Sequence, residues 1–363
     1  MVNRAQRIYT STVEGAFEEM LRNALSQIDV AGVTKLAIFS QSTNNCEYRQ
    51  ALASIDTVVK ELFTTQPPLT SYIAQKTFNG GVTVEATYIT DTDAVIEYHR
   101  NYRLISSKGC TEIITGGIIP RVAGGSTFEQ STDIFDGIAK MLASNGFKPS
   151  DIYRQWNYIP GITVLNDGSQ NYQEFNDARS IFYGSDKWKN GYPAATGIGT
   201  SAGGVVVEIC AIKGEGCTNL PIDNPLQIAA HNYSQQVLDG KVNKQLDERT
   251  TPKFERARLL GNTVFISGTA AIKGECSNFS TNTVEQAAET MEIMDRLTSR
   301  ENIPVENKGS LYDLLRVYVK RECDISAVKE YMQRHYPAAQ KHYLVADVCR
   351  PELLIEIEGV AHI

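Results

Sequence analysis

Val13, Phe17, Met20, Leu21 and Leu25 recur three or four residues apart, which places them on one face of a helix and predicts one over 13–29. The segment 34–40 (TKLAIFS) is short and mostly apolar and predicts a strand; 49–63 has helical spacing again, and 82–90 (VTVEATYIT) returns to strand-like alternation. The pattern then becomes more regular. A strand is predicted at 111–115, a helix at 127–145 that stops at Asn145-Gly146, a strand at 152–159, a helix at 170–183 and a strand at 205–212. After a polar stretch punctuated by Gly and Pro, strands are predicted at 263–267 and 271–273, a helix at 282–298, a strand at 312–319, a helix at 324–334, and closing strands at 343–349 and 353–361.

Two of these blocks share phrases. YPAATGIGTSAGGVVVE (192–208) and YPAAQKHYLVADVCRPELLIE (336–356) each run from a Tyr-Pro-Ala-Ala turn to an apolar strand ending in a carboxylate, Glu208 or Glu356. Upstream, 104–115 precedes a helix carrying Glu129-Gln130, and 259–270 precedes one carrying Glu285-Gln286. A repeat of this length is a duplicated fold. It divides the chain into an N-terminal α/β segment (1–100), open to reading as a partial copy, a first full unit (101–215), a long connection (216–255) and a second full unit (256–363). Alternating helices and strands suggest mixed sheets with the helices on one face. The other face then has to be covered by another copy or another chain.

Composition narrows the field. Apolar residues at 42% and charged residues at 21% over 363 positions are those of a globular chain with ample core. The net charge of −7, with no basic run, gives no general attraction to nucleic acid. No apolar run reaches membrane-span length and no signal-peptide stretch opens the chain. Seven cysteines, odd in number and without a CxxC, read as reduced thiols of a cytoplasmic protein, with Cys110 and Cys349 packing as small apolar groups. The five histidines show no metal-ligand spacing. GIGTSAGG (197–204) lacks the Lys-Ser/Thr and the following helix of a phosphate loop, and there is no GxSxG elbow.

The closing strand offers the sharpest candidate chemistry. Ile355 and Ile357 share one face, and Glu356 and Glu358 the other. That second face is either wet or packed against another unit; if packed, a carboxyl there has a raised pKa and can serve as a general acid. Arg179, at helical spacing with Tyr172, Asn176 and Tyr183, is either solvated or part of a site. The same choice holds for Arg256 and Arg258, and for Lys341, His342 and Arg350, which bracket the strand expected to pair with Glu356.

Several motifs carry a resemblance. VFISGTAAI (264–272), the Glu285-Gln286 helix, LLRVYVKR (314–321) and LLIEIEGVA (353–361) look like the RidA/YjgF fold. WNYIPGI (156–162), Tyr172 to Arg179, YPAATGIG (192–199), NPLQ (224–227), FERA (254–257) and ADVCRPELLIEIEGV (346–360) resemble the chorismatases, which carry RidA-like domains in one long chain. The resemblance implies an α+β fold of tandem RidA-like domains, with sheets packed together, helices outside and trimeric or pseudo-trimeric packing. It implies cleavage of the enolpyruvyl ether of chorismate to pyruvate and a ring acid, with Glu356 as the catalytic acid and no metal or organic cofactor. It points to Arg179 first, then Lys341 and Arg256, for the substrate carboxylates, and to Tyr172, Tyr183 and Tyr343 as hydroxyl donors. Cys349 and Ala270 would shape the ring pocket. The stretch after NPLQ departs from the best-known members. Two other activities fit the frame: hydrolysis of imines, as in the small RidA enzymes, and ligand binding without catalysis. Imine hydrolysis uses an Arg just after a Pro-Ala turn, and neither turn here has one, although Lys341 stands near that place.

Overall fold

The computed structural model describes residues 2–121, 124–166, 168–307 and 309–363. Among the described residues six longer helices form close to where the periodicity places them: α1 (Phe17–Leu25), α2 (Asn45–Leu62), α3 (Thr127–Ser144), α4 (Asn171–Tyr183), α5 (Thr283–Leu297) and α6 (Ile325–His335). Local capping sets several of their starts. Asn44 and Asn282 accept backbone N–H groups of the first turns of α2 and α5, and Ser126 with Glu129 closes a capping box on α3. The strands Arg4–Thr10, Leu69–Ala74 and Val95–Tyr98 were not foreseen.

The strands form three main sheets with one recurring order. In the middle sheet Ala194–Thr200, Ile152–Pro160, Val206–Gly214, Cys110–Thr115, Tyr102–Ser107 and Val95–Tyr98 lie side by side. In the last sheet Gln340–Val345, Leu311–Val319, Ile355–His362, Thr263–Thr269 and Ala257–Leu260 repeat that sequence of partners. The N-terminal sheet repeats it once more without the first hairpin strand: Leu69–Ala74, Val33–Ser40, Thr83–Ile89 and Arg4–Thr10. Each unit buries helices on one sheet face; α5 and α6, for instance, bury Met291, Met294, Val328 and Met332 against Leu315, Val317, Ile355 and Ile357. The opposite faces meet in a shared core containing Phe39 of the first unit, Tyr153, Trp156 and Tyr158 of the second, and Phe265 and Tyr318 of the third. Glu356 and Glu358 lie on that inner face, 4% and 2% exposed, so the wet-face reading of the closing strand is excluded.

Strand register makes the repeat exact enough to compare residues. Cys210 pairs with Ile114 and Gly214 with Cys110 in the second unit, while His362 pairs with Thr263 in the third; Glu208 and Glu356 therefore occupy equivalent places. Glu85 does so in the first unit, opposite Ala37 where Glu208 faces Trp156 and Glu356 faces Tyr318. The two Tyr-Pro-Ala-Ala phrases do not coincide. Ala194 pairs with Arg154 inside a strand, whereas the equivalent Arg316 pairs with His342, beyond the turn that holds Ala338. Ala194 to Glu208 and His342 to Glu356 span the same length of chain, so the extra residues of the third unit lie between its Tyr-Pro-Ala-Ala turn and the strand.

Two further expectations are corrected. The strand of Glu356 lies between Thr263–Thr269 and Leu311–Val319, with Tyr318 opposite Glu356, and Gln340–Val345 lies one strand farther out. The thiols are not all reduced: Cys110 and Cys217 form a disulfide across 107 residues of sequence. Register explains the approach, since Gly214 pairs with Cys110 and the chain turns back just beyond it. Cys110 is therefore a cross-link as well as a packed side chain.

Candidate active site

The three equivalent carboxylates have different fates. A cation from the neighbouring unit neutralises each of the first two: Lys35 Nζ lies 2.7 Å from Glu208, and Arg316 Nε lies 2.7 Å from Glu85. Lys35, Arg154 and Arg316 hold equivalent positions, so Arg154 is the cation due to Glu356. It is taken by Glu358 instead, which also accepts from Arg316 (3.0 Å), from the Tyr318 hydroxyl (2.7 Å) and from Thr196. The extra glutamate two residues along the strand thus captures the charge and leaves Glu356 with no hydrogen bond or ion pair among the described residues.

The consequence is a pair of neighbouring carboxyls driven apart. Burial raises the pKa of Glu358, but Arg154 and Arg316 outweigh it and hold the group ionised. Burial, reinforced by the negative charge of Glu358, pushes Glu356 up to about 8 against a smaller opposing pull from Arg154. Glu356 is therefore neutral at pH 7 while its neighbour is charged.

Glu356 opens into a cleft between the second and third units, with an empty space of about 810 Å³, mouth included. Gly268 forms part of its wall. A Cβ there would collide with Glu356 Oε1 and lie 3.1 Å from Thr196 Cγ2, so only glycine leaves the carboxyl its place. Gly268→Ala is expected to keep the fold and lower turnover by about tenfold or more, because small displacements of a reacting group cost one to two orders of magnitude. A wild-type turnover number in that variant would show that the carboxyl position is not critical.

Three arginines line the same cleft: Arg179, Arg256 and Arg350. Arg179, 2% exposed on α4, donates to Asn176 Oδ1 at 2.6 Å and lies over the Phe175 ring, but its Nε has no partner among the described residues. Arg256, 4% exposed, donates to the Ile228 carbonyl (2.5 Å) and the Tyr233 hydroxyl (2.7 Å), and its Nε is also unpartnered among the described residues. Arg350 donates to the Glu275 carbonyl and the Ser277 hydroxyl, both at 2.9 Å. Among the described residues, none of the three has a carboxylate within ion-pair distance. Buried guanidinium groups without counter-charge are costly, and an anion in the cleft would relieve that cost. Lys253, next to Arg179, has its pKa lowered by burial and by repulsion from that guanidinium.

The sequence candidates divide clearly. Glu356, Arg179, Arg256, Arg350, Tyr172, Cys349 and Ala270 all line the cleft. Burial pushes the Cys349 thiol up to about 12, so it presents a neutral S–H, and the Tyr172 phenol is likewise held neutral. Lys341, Tyr183 and Tyr343 do not line it. Lys341 Nζ donates to the Tyr336 and Ala339 carbonyls at the end of α6. The Tyr183 hydroxyl donates to Gln155 at 2.7 Å behind the helix. Tyr343 packs beside Phe78 on the helix side of the third sheet. Lys341 and Tyr343 read as site residues because Gln340–Val345 is expected next to the strand of Glu356 but lies one strand farther out, and Tyr183 because it shares the helical spacing of Arg179. The connection contributes walls that were missed: Tyr233, Val237, Leu238, Pro252 and Phe254. Its apolar residues in an otherwise polar loop were the available signal. Gly268 and Glu358 were missed as determinants because their role is visible only across strands.

Together these features define a tandem α+β protein whose inter-unit cleft holds a neutral acid beside unpaired guanidiniums. The family model described as Chorismatase FkbO/Hyg5-like, N-terminal, matches residues 94–211. A 3-hydroxybenzoate synthase of Streptomyces hygroscopicus is 32% identical over 230 residues, covering 59% of this chain and 64% of that protein. A chorismatase of Streptomyces rapamycinicus is 30% identical over 266 residues, covering 67% and 73%. A crystal structure of a chorismatase superposes with a TM-score of 0.72 at 22% identity, covering 99% of this chain and 98% of that one, and shows the same fold. The chain belongs to the chorismatase family.

Proposed function

We propose that this protein hydrolyses the enolpyruvyl ether of chorismate, or a close relative, to pyruvate and a ring carboxylic acid, with Glu356 as general acid. The observation that carries this reading is a buried, neutral carboxyl sharing a cleft with three guanidiniums, the carboxyl unpartnered and the guanidiniums without counter-charges among the described residues. A general acid has to hold its proton at working pH and release it inside a dry site. The C=C π electrons of the enol ether take the proton of Glu356 at the methylene carbon, and a lone pair of the ether oxygen stabilises the cation left at the adjacent carbon as an oxocarbenium ion. Water adds to that carbon and returns a proton to the Glu356 carboxylate. The resulting hemiketal collapses, breaking the bond to the ring oxygen and giving pyruvate and the ring alcohol. Two arginines suit the two substrate carboxylates, because the planar fork matches a carboxylate in a bidentate way. Arg179 and Arg256 fill that role from opposite sides of the unit boundary. Cys349 and Ala270 border the space left for the ring.

The family relationship supports this reading, since its characterised relatives carry the names chorismatase and 3-hydroxybenzoate synthase. The purified protein with chorismate is expected to release one pyruvate per chorismate consumed, read by lactate dehydrogenase coupling. Chorismate left intact through many enzyme equivalents of incubation would remove chorismate as the substrate. Imine hydrolysis lacks the arginine it would need after the Pro-Ala turns, and Lys341 is bound to backbone carbonyls away from the cleft.

A further inference from the structure

We propose that the chain has a second binding site, for a small organic carboxylate, in the cleft between its first and second units. The cleft occupies the place related by the internal repeat to the Glu356 cleft. Arg103 pairs with Ile114 as Arg256 does with Ser267, whose N–H donates to the Arg256 carbonyl, so the two arginines are equivalent. The same register makes Gly117 and Ile119 the counterparts of Ala270 and Ile272, and all four line their respective clefts. On the opposite wall, α2 and the strand after it stand where α4 and its following strand stand in the Glu356 cleft.

The chemistry of this second cleft is cationic and partly apolar. Arg103 is 3% exposed. It donates to the carbonyls of His99 (2.6 Å), Tyr102 (3.1 Å) and Pro67 (2.5 Å); among the described residues it has no carboxylate within ion-pair distance and its Nε has no partner. Its guanidinium lies 4.7 Å from the Tyr98 ring centroid. Arg100 lines the mouth, exposed and without any partner among the described residues. The carboxylate in the wall, Asp56, is already held by Lys60 at 2.6 Å. Empty space amounts to about 1580 Å³, mouth included. Tyr98, Pro67, Pro68 and Ile119 supply apolar surface for the body of a ligand whose carboxylate meets the arginines.

The same comparison says why this cleft binds and does not cleave. Its counterpart of Glu356 is Glu208, fully buried and paired with Lys35. Its counterpart of Gly268 is Thr115, a residue with a side chain, whose hydroxyl accepts the Ile209 N–H at 2.9 Å. The duplicated cleft thus keeps its anion-holding arginine and has lost its free acid.

Calorimetric titration with 3-hydroxybenzoate, using inorganic phosphate as the comparator, tests this. Wild-type protein is expected to bind at two sites, and Arg179→Ala to retain the second one. In that background Arg100→Ala should weaken the remaining site about threefold, as for an exposed charge, and Arg103→Ala about tenfold or more, as for a buried charged donor. Arg103 also holds the Pro67 carbonyl, so circular dichroism accompanies that variant; Arg100→Ala touches no internal contact and carries the test if Arg103→Ala unfolds. Loss of all binding in Arg179→Ala, or binding unmoved by Arg100→Ala, overturns the proposal. Phosphate binding the second site as tightly as 3-hydroxybenzoate overturns the organic-acid assignment. The readout is binding alone, so failure of chorismate turnover would leave it interpretable.

Discussion

Glu356→Gln is expected to fold like the wild type and to lose turnover of chorismate by about 10²-fold or more, the usual scale for removal of a general acid. Glutamine matches glutamate in size, and Glu356 makes no hydrogen bond or ion pair among the described residues, so the substitution breaks no internal contact. What disappears is the proton. An amide cannot protonate the methylene carbon, and Glu358 cannot substitute because Arg154, Arg316, Thr196 and Tyr318 occupy its oxygens. Pyruvate release under saturating chorismate, with circular dichroism as the folding control, checks this. Turnover within a few-fold of wild type would remove Glu356 from the chemistry.

Arg179→Ala and Arg256→Ala form the second test. Each should weaken transition-state binding by about 2–5 kcal/mol, the range for truncating one member of a buried charge pair. That corresponds to a loss in kcat/KM of roughly 30-fold to several thousand-fold. The two arginines come from α4 of the second unit and from the entry to the third unit, so each should matter separately, and KM should carry most of the loss if they hold the ground-state carboxylates equally. Lys341→Ala, by contrast, is expected to leave kcat/KM near wild type, because its ammonium is turned to the backbone at the end of α6. Normal kcat/KM in both arginine variants would mean that the carboxylates are held elsewhere.

Much of this arrangement was legible in the chain. Helix positions followed from apolar spacing, because each helix buries one face on its sheet. The duplication was legible from shared phrases, and Glu356 from strand alternation joined to the need for a covered inner face. Arg179 and Arg256 were legible as residue types suited to a carboxylate. The remainder depended on register. Lys341 and Tyr343 were drawn to the site because the sequence does not say which strands are neighbours: Gln340–Val345 pairs with Leu311–Val319 and not with the strand of Glu356. The disulfide escaped for a similar reason, since Cys110 and Cys217 meet only once the Gly214–Cys110 pairing brings the chain back. The role of Glu358 as the group that captures the cation due to Glu356 could not be read from either residue alone. It emerges from comparing Glu85, Glu208 and Glu356 across three units.

The pH dependence of kcat/KM tests the central claim most directly, because it reports the acid of the free enzyme. The substrate carboxylates are fully ionised through neutral and alkaline pH, so Glu356 should set the profile. Its folded pKa is raised, so the active, protonated form persists through neutrality and is lost as pH rises through about 8. A plateau from about pH 6 to 7, followed by a fall that reaches tenfold per pH unit above 8, is the expected result. A rate that falls from about pH 4.5 upward, or that rises through pH 8, would contradict a buried neutral Glu356 as the proton donor.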